Sequence, residues 1–212
     1  MRKLDRASVA APACLANYQP GQHSWSDVSA DDRLQIQGRL EQMQGRRCAY
    51  CEGPLDVLGK HIEHFRRKHP NYFPHLAFAW TNLYWSCDQN DSCGHYKDHG
   101  AGAHNVNELI DPGVDDPDAL FRFRSDGTIN VRPALGPVAR RKAEETLRVF
   151  NLHPEWGRLR NMRKAVVSGY VKMIDGCTGF SVDDLRELFT QELAEAANRP
   201  FSTAIRHVLT EP

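Results

Sequence analysis

Apolar and polar residues alternate in different ways along the chain, and each pattern names an element. Between Asp31 and Gln44, Leu34, Ile36, Leu40 and Met43 recur at roughly helical intervals and Gly45 supplies a stop, which predicts a helix. Lys60-His61-Ile62-Glu63-His64-Phe65 alternates as a short strand, and Trp80-Thr81-Asn82-Leu83-Tyr84-Trp85-Ser86 reads as its hairpin partner across a loop at Pro70-Asn71-Tyr72-Phe73-Pro74. After Cys93, Gly94 permits a sharp turn, and a short helix there places His95 and His99 one turn apart on one face. Together these segments predict a ββα unit.

Downstream, Leu120 to Arg124 and Ile129-Asn130-Val131 flank Ser125-Asp126-Gly127-Thr128, a β-hairpin with a DG-type turn. Ala139 to Phe150, Leu159 to Ile174 and Val182 to Ala197 carry apolar residues at spacings of three and four and predict helices, the last with Ser181 as its N-cap. Residues 1 to about 30 carry Pro12, Pro20 and Gly21 among few apolar side chains and read as an extended or loosely ordered arm. The expected fold class is α+β, in three parts: arm and helix over 1–45, a ββα module over 46–110, and a β-hairpin with helices over 111–212.

Composition narrows the class without naming a function. The chain has 212 residues, and its 27 Lys plus Arg balance 27 Asp plus Glu, so overall charge gives no argument for a polyanionic partner. Basic clusters at Arg46-Arg47, Arg66-Arg67-Lys68, Arg140-Arg141-Lys142 and Arg158 to Lys164 can follow a phosphate backbone or serve as solvated helix faces. No apolar run approaches the roughly 20 residues needed to cross a bilayer, and Met1 to Arg6 lacks the apolar stretch of a signal peptide. The expectation is a cytoplasmic protein with no membrane partner. Its close cysteine pairs then read as reduced metal ligands, with Cys14 and Cys177 left over as packed thiols.

Cys48-x-x-Cys51 and Cys87-x5-Cys93 form two knuckles that can bring four thiolates around one tetrahedral Zn2+. Such a zinc is structural, because four cysteines leave no open position for water. Hydrolytic chemistry needs a second metal site built from the side chains enclosed between the knuckles or just beyond them. His64 is the candidate general base, since imidazole titrates near neutral pH. Glu63 is a candidate ligand to a catalytic Mg2+ or Mn2+, which suit oxygen donors. The Asn82 amide can hold the loop carrying His64 or bind the same cation. His95 is a further candidate ligand, His99 can complete the set or meet the phosphate, and Lys97 can hold a phosphate. His61, His69, His75 and His104 read as surface or packing residues.

Cys48-Ala-Tyr-Cys51, Glu63-His64, Asn82 and Cys93-Gly94-His95-Tyr96-Lys97 resemble the HNH endonucleases of the ββα-metal class. More narrowly, Met1-Arg2-Lys3, Ile62-Glu63-His64-Phe65, Thr81 to Cys87 and Cys93-Gly94-His95 look like the HNH component of Septu and certain retron anti-phage systems. The resemblance implies a nuclease subunit acting on DNA or RNA beside an ABC or SMC-like ATPase, with a retron reverse transcriptase and its RNA/DNA as further candidate partners. Two departures are visible. Glu63 stands where Asp is usual, and Gly94 separates the last cysteine from His95, which leaves the choice between His95 and His99 open. The competing class is a non-catalytic zinc-knuckle protein that binds nucleic acid or acts as an adaptor. The aromatic residues Trp80, Tyr84 and Trp85 can stack on bases or fill the module's core.

Overall fold

The computed structural model describes residues 1–153 and 157–211. It is an α+β protein with two small antiparallel sheets and seven α-helices among those residues. Helix α1 (Ala30–Gln44) starts where the Ser29 side chain accepts from the Asp32 amide, stops at Gly45, and buries Ile36, Leu40 and Met43. Leu34, grouped with these by periodicity, is exposed on the far side. Gln44 ties this helix to the sheet: its amide donates to the carbonyls of Arg47 and Trp85 and accepts from the Trp85 N–H. A buried amide so placed meets the hydrogen-bonding needs of a strand edge that has no strand partner there.

After the first knuckle and the one-turn helix α2 (Leu55–Leu58), strand β1 (His61–His64) pairs antiparallel with β2 (Leu83–Ser86). The register sets His61 opposite Ser86, Glu63 opposite Tyr84 and His64 opposite Leu83. Asn82 lies in the 3-10 turn that precedes β2 rather than in the strand. Helix α3 (Cys93–His99) follows the second knuckle, where Ser86 Oγ accepts from the Gly94 N–H. Leu83, Tyr84 and Trp85 are fully buried, so the aromatic residues of β2 are core.

Strands β3 (Phe121–Phe123) and β4 (Ile129–Val131) form the second hairpin. Gly127 has φ +83°, and a β-carbon there would lie 2.3 Å from the Arg160 carbonyl oxygen. Both the turn and the packing of the next helix therefore require glycine. Helices α4 (Pro137–Val149), α5 (Arg158–Asp175), α6 (Val182–Ala196) and α7 (Ser202–Thr210) complete the chain. None is long and apolar enough to cross a membrane.

Two regions depart from the periodicity reading. The first 30 residues are not a loose arm: they wrap the core in 3-10 turns and bury Met1, Leu4, Val9, Cys14, Leu15 and Val28. Arg6 fixes this wrap, donating to the carbonyls of Trp80 and Leu83 with its guanidinium 4.4 Å from the Tyr84 ring centre. Irregular turns bury residues at no fixed period, which is why no pattern announced them. The second is α7, where Glu52 accepts from the Ser202 hydroxyl and the Thr203 N–H at the helix start. Further along, His207 accepts from the Phe123 N–H and donates to Asp118. The last helix thereby joins the first knuckle to the second hairpin. Of the two spare thiols, Cys14 is buried and Cys177 half-buried.

Candidate functional site

The ligand atoms of Cys48, Cys51, Cys87 and Cys93 lie within 4.8 Å of one another, all four residues buried. The backbone arranges them by local hydrogen bonds: the Cys48 N–H reaches the Gly53 carbonyl, and the Gly53 N–H donates to Cys51 Sγ at 3.3 Å. Burial pushes the Cys93 thiol well above its ordinary pKa, and hydrogen bonding with Cys48 and Cys51 does the same to Cys87. Cys48 moves the other way: hydrogen bonds from the other three hold its thiolate despite the burial. Four thiolates cannot share so small a volume without a cation, so the donor set fits a tetrahedral metal ion. The guanidinium groups of Arg158 and the buried Arg163 add favourable charge toward the cluster.

A cleft of about 880 Å³ is lined by Gly21 to Trp25, by β1 and the loop that follows it, and by α3. His64, Glu63, His95 and His99 all line it. His64 is buried, with Nε2 2.9 Å from the Ala77 carbonyl and the Trp25 ring edge-on at 4.6 Å between centroids. A carbonyl can only accept, so Nε2 carries the proton and Nδ1 is the basic nitrogen. Burial, reinforced by the Lys68 charge, lowers the ring's pKa to about 4 and keeps it neutral at pH 7.

Glu63 is buried and ionised. Its Oε1 lies 2.8 Å from Lys97 Nζ and its Oε2 3.2 Å from His61 Nε2. Burial is the largest single influence and opposes ionisation, but the charge and hydrogen bond of Lys97 together with those of His61 outweigh it, and the carboxyl falls to about 2. Lys97 has no exposed surface, and its ammonium sits between Glu63, Asp98 and the His64 carbonyl. It therefore holds carboxylates rather than a phosphate, contrary to the sequence expectation. Arg67, bonded to Asp98, and Lys68 are the cations that line the cleft.

Asn82 faces away from this group. Its carbonyl accepts from the Arg66 N–H at 2.7 Å and its NH2 donates to the carbonyls of Arg66 and Leu76. The whole amide is spent on the loop after His64. In its place the structure brings in two residues that sequence reading passed over. His61, read as a bystander, and Asp88 cluster with His95, their ligand atoms within 4.8 Å of one another. The signal for His61 was in the alternation itself, because residues 61 and 63 share a face of a strand. Asp88 directly follows Cys87 in the second knuckle, where no periodicity operates. His99 stacks 6.3 Å from His95 without joining that group.

No family model matches this chain. It is similar to a Vibrio cholerae serotype O1 biovar El Tor protein named "Retron Vc95 putative HNH endonuclease", at 28% identity over 136 residues. The match covers 60% of this chain and 63% of that relative, less than two thirds of its length. It supports a distant relationship to the HNH endonucleases.

Proposed function

We propose that this chain is a metal-dependent HNH endonuclease that hydrolyses phosphodiester bonds in nucleic acid. The observation that carries the reading is His64: a neutral imidazole, fixed in one tautomer by the Ala77 carbonyl, in a cleft that also gathers carboxylates and further histidines, His61, His95 and His99 among them. His64 Nδ1 takes the proton from a water, the water oxygen bonds to phosphorus, and the bond from phosphorus to the leaving sugar oxygen breaks, that oxygen gaining its proton from solvent water. A divalent cation beside Glu63 and His95 supplies charge stabilisation for the phosphate when bound. Arg67 and Lys68 hold the backbone on either side, and Asn82 positions the loop that follows His64. Cys48, Cys51, Cys87 and Cys93 hold a structural Zn2+ that fixes the turn before α3 and with it His95.

On this reading residues 46–110 are the nuclease module, and the helices of 111–212 dock an ATPase of the ABC or SMC-like type in an anti-phage system. The retron in the relative's name is what supports a defence role with a reverse transcriptase and its RNA/DNA nearby. The test is cleavage of plasmid DNA and total cellular RNA, with and without the neighbouring ATPase, in Mg2+, Mn2+ and EDTA. Cation-dependent cutting of either substrate supports the nuclease. Binding without cutting in every condition, partner included, returns the chain to the zinc-knuckle adaptor class.

A further inference from the structure

We infer that His61, Asp88 and His95 form a cation site at the edge of the cleft, which His61 and His95 line, and that it takes a first-row transition-metal dication in preference to Mg2+. The inference deepens the nuclease reading and rests on it for the cation's role, though not for its binding. It differs from the set the family resemblance implies, in which Glu63 and Asn82 join His95.

Three separate elements converge on this point: β1 brings His61, the turn after β2 brings Asp88, and the first turn of α3 brings His95. His95 Nε2 lies 2.6 Å and His61 Nδ1 3.7 Å from the same Asp88 oxygen, and the two imidazole rings are 4.2 Å apart. The His61 nitrogen is informative. Its Nδ1 is buried with no hydrogen-bond partner. Its other nitrogen, Nε2, lies 3.2 Å from Glu63 Oε2. An ionised carboxylate can only accept, so Nε2 carries the proton and Nδ1 keeps a bare lone pair aimed at the cluster. A carboxylate behind a histidine is the usual way to fix the ring tautomer of a metal ligand and raise its basicity.

Glu63 is thereby a positioning residue. Its Oε1 faces Lys97 and its Oε2 holds His61, so its charge is already neutralised on the protein side. Two imidazoles and one carboxylate suit a metal of intermediate softness, whereas Mg2+ prefers oxygen ligands and keeps most of its waters. Three protein ligands also leave positions for a water and a phosphate oxygen. The cysteine centre and this one are linked in the chain, because Asp88 follows Cys87 and His95 stands two residues beyond Cys93.

The test uses the full chain with zinc already in its cysteine centre, titrated with Co2+ and read by visible absorption. A thiolate-to-cobalt band in the near ultraviolet would report any invasion of the cysteines. The expected result is one Co2+ per chain without that band, bound about tenfold or more weakly by His61→Ala and by Asp88→Ala, and unchanged in His64→Ala. Mg2+ displaces it only in large excess. Asp88 is more than half exposed, and retained zinc verifies that its variant keeps the fold. Wild-type Co2+ affinity in His61→Ala, or displacement by an equal concentration of Mg2+, overturns the assignment. Co2+ bound as expected with no cleavage of any nucleic acid, the ATPase partner included, leaves this site standing and removes the nuclease reading. Cleavage by His61→Ala with an unchanged cation requirement does the reverse.

Discussion

Gly94 and Glu63 touch with no room for a methyl group between them: a β-carbon on Gly94 would lie 2.6 Å from Glu63 Oε2 and 2.7 Å from its carboxyl carbon. The residue that looked like an insertion between Cys93 and His95 is the space that admits a glutamate where aspartate is usual. Gly94→Ala pushes the Glu63 carboxylate off His61 and Lys97. The account predicts a stability loss of about 1–3 kcal/mol from overpacking, with zinc retained and cleavage reduced at least about tenfold as His61 loses its orienting partner. Thermal melts with metal analysis, alongside a cleavage assay, measure both.

The Glu63–Lys97 pair is fully buried, and breaking it from one side strands a charge. Lys97→Met leaves Glu63 and Asp98 without their ammonium and is expected to cost about 3–5 kcal/mol. Glu63→Gln with Lys97→Met together should cost clearly less than the sum of the single changes. Urea denaturation of the four proteins closes the cycle, and additive losses would mean that the pair is not coupled.

Acid should unfold the protein in two overlapping stages. His64 is lowered to about 4 by burial and Lys68. Protons therefore bind the unfolded chain first as pH falls below the ordinary histidine value near 6.5, and stability is lost from there down to about 4. Glu63 is held at about 2 by Lys97 against the opposing effect of burial, so its contribution is intact above the ordinary glutamate value near 4.5 and is lost between there and about 2. Each shift corresponds to about 3 kcal/mol. His64→Gln should flatten the upper part of the curve of unfolding free energy against pH, and Glu63→Gln the lower.

The elements with a period were legible in the sequence and those without one were not. α1, the β1–β2 pair, the Asp126-Gly127 hairpin and helices α4 to α6 were all visible because burial recurs every two or every three to four residues. The first 30 residues bury six apolar side chains without a repeat, and α7 is fixed by distant partners, Glu52 and Asp118. The cysteine centre could be read from spacing, because a knuckle closes over few residues. The His61, Asp88 and His95 group could not, because Asp88 owes its place to the knuckle turn and Glu63 turned out to face a buried lysine.

Removal of the metal from the cysteine centre should unfold the module rather than merely silence it. Four buried thiols without a cation cannot all remain ionised, and a structural zinc contributes on the order of 10 kcal/mol to folding. Cys51→Ser, or chelation of the wild type, is predicted to abolish the cooperative melt of residues 46–110. Circular dichroism with zinc analysis reads the outcome, and a chelated protein with an unchanged melt would show the centre to be dispensable.

The role of His64 is tested most directly by cleavage with the His64→Ala protein, at matched zinc content and thermal stability, in the cation and partner conditions that support wild-type cutting. The account predicts a loss of about 100-fold or more in rate, with cation binding unaffected. A well-folded His64→Ala protein that cuts nucleic acid at the wild-type rate would contradict it.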